Sequence, residues 1–169
     1  MLYKVKNSNI HGRGVYANQD IKKNTKIIEY IGQKVTKSEG DRRSEKRLKR
    51  YLNSKKTGSV YIFELNSKYD IDGSPLYNKA RYINHSCSPN CEVDIIKGEI
   101  WIISIKKIKK GQELCYDYGY EFDKDDYKDH ICKCGSTNCS GYIISSDDLP
   151  KLKKFLKKIK TQNDIKTCK

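Results

Sequence analysis

Short runs of β-branched and aromatic residues, broken by Gly, Asn and Lys, recur along most of the chain, the pattern of a β-rich fold. Residues 2–5 read as a short strand, 26–32 (KIIEYIG) as an apolar one ended by glycine, and 60–65 (VYIFEL) as a third, closed by a turn at 69–73 (YDIDG). Residues 91–96 and 99–105 flank Lys97-Gly98, which predicts a hairpin. Turn chemistry marks 21–25 and 108–113, and then 114–120 (LCYDYGY) sets Tyr116, Tyr118 and Tyr120 at every second position. That spacing puts the three rings on one face of a strand, as a cross-strand aromatic ladder or as the wall of a phenol-lined channel.

Helical spacing occurs in two places. Within 36–56, Leu48, Tyr51 and Leu52 fall at i, i+3 and i+4, Ser38 and Glu39 stand near a start, and Arg and Lys are dense. This predicts an amphipathic helix whose basic outer face is either solvated or in contact with phosphate. Near the end, Ser145 to Asp148 offer an N-cap, Pro150 suits a first turn, and Leu149, Leu152, Phe155, Leu156 and Ile159 share a face. Such a helix docks on the domain, or else on a membrane surface or a partner. Residues 161–169, Cys168 included, read as a frayed tail.

The 169 residues suit one compact domain with a small appendage. A formal charge of +14 favours polyanionic surroundings, although an AT-rich genome would give the same excess of Lys, Asn, Ile and Tyr. Met1 precedes charged and polar residues, and no apolar run is long enough for a secretory signal or a membrane span. In a reducing compartment the seven cysteines are better metal ligands or free thiols than disulfide partners.

The densest chemistry lies at 81–91 (RYINHSCSPNC), where Pro89 rules out a continuous helix. Gly12 and Gly14 around Arg13 could bring backbone close to a ligand, or simply make a tight turn. Cys132, Cys134 and Cys139 lie among glycines, three thiols where a tetrahedral zinc site wants four. Cys87, Cys91, Cys115, Cys168 and His130 are all candidates for the fourth ligand, and spacing does not choose between them. The acidic stretch 121–129 is a solvated loop or an attractor for a basic peptide.

Taken in order, HGRGVYA, EYIG, ARYINHSCSPNC with GQELCYDYGY, and CKCGSTNCSG resemble the SET-domain protein lysine methyltransferases with their cysteine-rich post-SET module, over about 11–142. The resemblance implies a mostly β fold with short helices, in which small sheets surround a pseudoknot made by the NHSC and YDYG segments. It divides the chain into a SET domain at 1–122 with a variable insert at about 36–56, a zinc-binding post-SET segment at 130–146, and a basic helix and tail at 147–169. His11, Gly12, Arg13 and Gly14 would hold S-adenosylmethionine, with Tyr61 touching it, Asn84 and His85 orienting its polar groups, and the Lys133 main chain closing the adenine pocket. The same comparison selects Cys87 to join Cys132, Cys134 and Cys139 on Zn2+. Tyr30, Tyr116 and Tyr118 match the tyrosines of a lysine channel, with Tyr118 the main catalytic one through orientation and electrostatics.

Those residue types suit methyl transfer. A neutral amine must attack the sulfonium methyl in line, yet free lysine, with a pKa of about 10.4, is charged at neutral pH. An apolar aromatic channel disfavours the ammonium form. A hydroxyl at Tyr116, where similar enzymes carry Tyr or Phe, leaves less room for a methylated amine and implies mono- or dimethylation. Two features depart from the family pattern: Tyr77-Asn78 stands where Gly-Asn is common, and basic residues fill the variable insert. The start of the chain so close to the cofactor motif is read as leaving no room for a pre-SET module.

The expected substrate is a histone tail, with nucleosomal DNA touching the basic faces, no membrane insertion, and a nuclear or chromatin location. That nucleus would be a host's if the source is an intracellular microbe, and the cytoplasm is the other possibility. Competing expectations are a ribosomal or DNA-packaging substrate, a noncatalytic chromatin-binding module, and a zinc-dependent DNA-binding domain.

Overall fold

A computed structural model describes residues 1–54 and 61–167, with side chains for all of these except 51–54 and 162–167. The described strands form four small sheets. β1 (Tyr3–Asn7) pairs antiparallel with β2 (Arg13–Ala17). β3 (Lys26–Glu29), β9 (Glu99–Ser104) and β8 (Cys91–Ile96) form a second antiparallel sheet, in that order. A third has β6 (Tyr69–Asp72) between β4 (Gln33–Thr36) and β5 (Ile62–Glu64). The fourth is a parallel pair, β7 (Asn84–His85) with β10 (Cys115–Tyr116).

The hairpin closes where its sequence predicts. Ile96 faces Glu99, and both residues between them take positive φ, 53° at Lys97 and 81° at Gly98, as a two-residue turn matched to strand twist requires. Isoleucine does most of the filling: Ile21, Ile83, Ile100, Ile102 and Ile108 are buried with Val15 and Leu114 in the main core. Each such side chain contributes about 1.5–3 kcal/mol over leaving it in water. A smaller core holds Tyr127, Ile144 and Leu152, with Phe122, Tyr142 and Phe155 packed against it.

That second core is the seat of α2 (Leu149–Thr167), whose apolar stripe docks as the periodicity predicts. The helix continues to Thr167 where a frayed end was expected at 161, and Cys168 lies outside the described residues. Asp148 precedes it, but the carboxylate accepts from the Phe122 amide at 2.8 Å and pairs with Lys151 at 2.6 Å, tying the helix start to the preceding segment. Among the described residues no helix is long and apolar enough to cross a membrane.

Three local expectations are corrected. Residues 69–72 form the central strand β6, not a turn, and β4 opposite them has too few apolar residues to announce itself. The turn comes earlier, where the Asn66 side chain accepts from the amides of Lys68 and Tyr69. Residues 114–120 contribute only two strand positions, because the Tyr118 amide donates to a histidine ring rather than to a neighbouring strand.

The third concerns α1 (Lys37–Ser54), which starts with the Glu39 amide donating to the Thr36 hydroxyl. Its docking face is ionic rather than apolar: Leu48 is exposed, and Tyr51 and Leu52 have side chains outside the described residues. Gly40 sits so close to Asp70 that an added Cβ would lie 2.5 Å from its carboxylate. Arg43 and Arg47 both donate at 2.8 Å to Asp72, and Lys37 donates at 2.7 Å to Asp70. The alternation Asp-Ile-Asp in β6 is thus a strand whose buried acids are neutralised by a helix, which is why it resembled solvated turn chemistry.

Burial alone would raise the Asp72 pKa, but Arg47 and Arg43 hold it well below the usual carboxylate range. Asp72→Asn is therefore expected to cost about 3 kcal/mol in urea unfolding at pH 7, because both arginines lose a buried counter-charge. With the folded-state pKa depressed, the contribution is complete above the ordinary carboxylate pKa of about 4 and fades as pH falls below it, so the two proteins should converge in acid.

Candidate active site

The parallel pair β7–β10 brings the two motif-rich segments side by side. Asn90 locks them: its amide donates to the Cys115 carbonyl at 3.1 Å, its side-chain oxygen accepts from the Cys115 amide at 2.9 Å, and its side-chain NH2 donates to the Glu113 carbonyl at 2.7 Å. In an extended segment neighbouring side chains leave on opposite sides, so Asn84 and His85 face different halves of the site.

Asn84 faces the glycine-flanked turn. Its NH2 donates to the Glu113 carboxylate at 2.8 Å and to the carbonyls of Arg13 at 3.1 Å and His11 at 3.3 Å. The same carboxylate accepts from the Ser8 hydroxyl at 2.7 Å and the Tyr16 phenol at 2.7 Å. Burial and then this contact raise the Tyr16 pKa, keeping it a donor. Gly14 is required here, since a Cβ would lie 2.3 Å from the Glu113 oxygen. His11, Gly12 and Arg13 are exposed just beyond, with φ 51° at Gly12 and open space beside it, an accessible backbone edge. Glu113 is the functional residue that sequence reasoning passed over; its one signal is an acid placed between a Gly turn and the buried Leu114.

On the other side lies a cavity of about 240 Å³ lined by the rings of Tyr30, Tyr61, Phe63, Tyr116, Tyr118 and Tyr120, with Ile62, Ile83, Glu64 and Arg81 completing its wall. Rings follow one another across it, with centroids 4.4 Å apart for Tyr30–Phe63, 5.9 Å for Phe63–Tyr116, 5.0 Å for Tyr116–Tyr118 and 5.8 Å for Tyr118–Tyr120. The Tyr118 hydroxyl donates to the Ile83 carbonyl at 2.9 Å and that of Tyr30 to the Tyr61 carbonyl at 3.0 Å. Tyr61, expected on the cofactor, lines this cavity beneath the Arg81 guanidinium, 4.4 Å from its ring centroid. Burial pushes the pKa values of Tyr30, Tyr116 and Tyr118 well up, and that of Tyr120 to about 12. The phenols therefore stay protonated at neutral pH and are not bases.

His85 is buried between this cavity and the cysteines. Its Nδ1 accepts from the Tyr118 amide at 3.2 Å and its Nε2 lies 3.6 Å from Cys87 Sγ. Burial lowers its pKa against the opposing pull of Asp117, so the ring is neutral.

Cys87, Cys132, Cys134 and Cys139 come together with all four sulfurs within 4.8 Å of one another. A Zn–S bond of about 2.3 Å in a tetrahedral site implies S···S separations of about 3.8 Å. Cys87 lies 3.8 Å from Cys132 and 3.9 Å from Cys139, so the donors fit such an ion. Burial opposes ionisation of Cys134, but hydrogen bonds led by Ser136 bring its pKa down to about 6. Of the other candidate fourth ligands, Cys91 and Cys115 are buried apart from the cluster, and His130 packs edge-on to Tyr120 and pairs with Asp126. Lys133 is exposed between Cys132 and Cys134.

These features define a domain of small sheets in which a glycine-flanked backbone edge, a tyrosine cavity and a four-thiol centre meet around one parallel strand pair. The SET domain profile matches residues 12–119, and the chain belongs to that family. Over 140 residues, 80% of this chain, it is 38% identical to histone-lysine N-methyltransferase 2D of Homo sapiens and 43% identical to histone-lysine N-methyltransferase trr of Drosophila melanogaster. Identity is 36% over the same share to a Saccharomyces cerevisiae protein named histone-lysine N-methyltransferase, H3 lysine-4 specific. The chain spans 2%, 6% and 12% of the length of these relatives, respectively.

Gly14→Ala would drive a methyl into the Glu113 carboxylate, and Glu113→Gln would turn one acceptor into a donor facing other donors. Each is expected to cost about 1–3 kcal/mol in denaturant unfolding. Because both break one contact, the double variant should lose less than the sum; additive losses would show the two positions to be independent.

Proposed function

We propose that this chain transfers methyl groups from S-adenosylmethionine to a lysine side chain of a protein, with a histone tail as the substrate. The observation that carries the reading is the tyrosine cavity: it is walled by protonated phenols and sized for an alkyl amine. The names of the relatives support the histone assignment. S-adenosylmethionine would be held by the backbone of His11, Gly12, Arg13 and Gly14, with Asn84, the main chains of His85 and Lys133, and the Tyr61 ring at the mouth of the tyrosine cavity completing its site. The open backbone beside Gly12 and the missing Cβ at Gly14 fit that role. When bound, the cofactor supplies an electrophilic methyl on a sulfonium.

The remaining work falls to residues of the chain. Ring faces of Tyr30, Tyr116 and Tyr118 enclose the lysine stem and exclude water, which favours the neutral amine. Tyr118 donates its own proton to Ile83, so its oxygen lone pairs are free to hold the amine in line. Tyr116 narrows the end of the channel, and mono- or dimethylation follows. Cys87, Cys132, Cys134 and Cys139 would hold Zn2+ and so tie the 130–146 segment to the 1–122 domain, with the 147–169 helix behind it. Arg42, which also pairs with Glu39, lines a shallow concavity of about 360 Å³ along α1 with Lys46, Lys49, Arg50 and one acid, Glu45; the basic excess suits contact with DNA. A nuclear, chromatin-bound location accords with these partners.

The test is transfer of labelled methyl from S-adenosylmethionine to recombinant nucleosomes, free histones or a ribosomal protein mixture. Label should enter histone, and Tyr118→Phe should reduce the rate roughly 10²-fold. Label confined to the ribosomal mixture would refute the histone substrate; none anywhere, with cofactor bound, would favour a noncatalytic module. Tyr116→Phe should move product toward higher methyl states, and an unchanged mass distribution would refute the narrowing role. The rate should rise with pH from 7 to about 9, since the substrate amine must lose its proton while the channel phenols keep theirs.

A further inference from the structure

We propose that His85 is a positioning residue that couples the four-thiol metal centre to the main chain of Tyr118. The inference rests on the metal reading above and goes beyond it, because it assigns the imidazole a role toward the thiolates rather than toward the cofactor.

In the sequence Asn-His-Ser-Cys, His85 ends β7 and the chain bends at Cys87, two residues on, which brings the Cys87 sulfur to the His85 ring. Ser86 between them keeps the segment in register by donating its amide to the Tyr116 carbonyl at 3.1 Å. The imidazole is buried, packed edge-on to the Tyr118 ring with centroids 5.5 Å apart.

Its two nitrogens have fixed partners. Nδ1 lies 3.2 Å from the Tyr118 amide, a group that can only donate, whereas the Asp117 carboxylate is 3.8 Å away, beyond hydrogen-bond reach, so Nδ1 is the acceptor. A neutral imidazole then carries its one proton on Nε2, 3.6 Å from Cys87 Sγ, within the reach of an N–H···S hydrogen bond. A thiolate on a metal ion can only accept, so the metal-loaded cluster selects this tautomer. In turn the tautomer presents an unprotonated Nδ1 to Tyr118, the residue whose hydroxyl bonds to Ile83 at the cavity wall. One rigid ring thereby spans the distance from metal ligand to channel tyrosine.

The probe is 113Cd2+ bound to the full-length, 15N-labelled chain. Uptake on thiolates is read from the sulfur-to-cadmium absorption band. The expected result is the Nε2–H tautomer of His85, with scalar coupling between 113Cd and the Nε2 proton through Cys87 Sγ. His85→Phe, which keeps a ring but has no nitrogen, should bind Cd2+ 10- to 100-fold more weakly in chelator competition. An Nδ1–H tautomer, no coupling in the loaded protein, or unchanged affinity in His85→Phe overturns the bridge while leaving the metal site intact. Failure to take up Cd2+ at all overturns the metal reading and the bridge with it. Should His85→Phe fail to fold, the tautomer and coupling of the unaltered chain decide alone.

Discussion

The Glu113 carboxylate is the constraint on which the glycine-flanked turn and its neighbours depend. Ser8, Tyr16 and Asn84 reach it from three places in the chain, and its own backbone carbonyl is held by Asn90. These neutral donors fix the half-buried carboxylate in place from several directions. Because Asn84 also holds the carbonyls of His11 and Arg13, the exposed backbone edge inherits its shape from an acid about a hundred residues further on. Gly14 makes room for that contact, which gives the second glycine of the turn a packing role distinct from that of the first.

On the opposite side the order is set by aromatic packing and by the cysteines. The cavity takes rings from β3's extension, from β5 and the residue before it, and from β10 and the segment after it, and no single sheet supplies it. His85 and Asp117 connect this wall to the C-terminal part: the Asp117 carboxylate accepts from the amides of Gly119 and Ser146. Tyr30 and Tyr116 thus belong to the main core, and Tyr118 packs against it on the side that faces His85.

Much of this was legible in the sequence, and for stated reasons. Apolar runs with Gly punctuation gave the hairpin, because a two-residue turn has few chemical solutions. The tyrosine spacing put three rings on one face even though only two residues there are strand, since side-chain alternation needs extended backbone and not a full ladder. Spacing left the fourth thiol ambiguous, and only the family resemblance selected Cys87, which the fold brings to the other three. What stayed hidden depended on long-range charge pairing. Asp70 and Asp72 looked like turn residues because their partners Lys37, Arg43 and Arg47 lie on a helix some thirty residues earlier. Glu113 was unreadable for the same reason, as its donors are scattered along the chain.

The ionic docking of α1 separates two properties that most surface helices combine. Its attachment uses Lys37, Gly40, Arg43 and Arg47, whereas Lys46 and Lys49 point away and take no part in holding the helix down. Charge on the outer face can therefore be altered without touching the contacts that dock the helix. In this insert, the residues that set the outer charge are not the residues that hold the helix to the sheet.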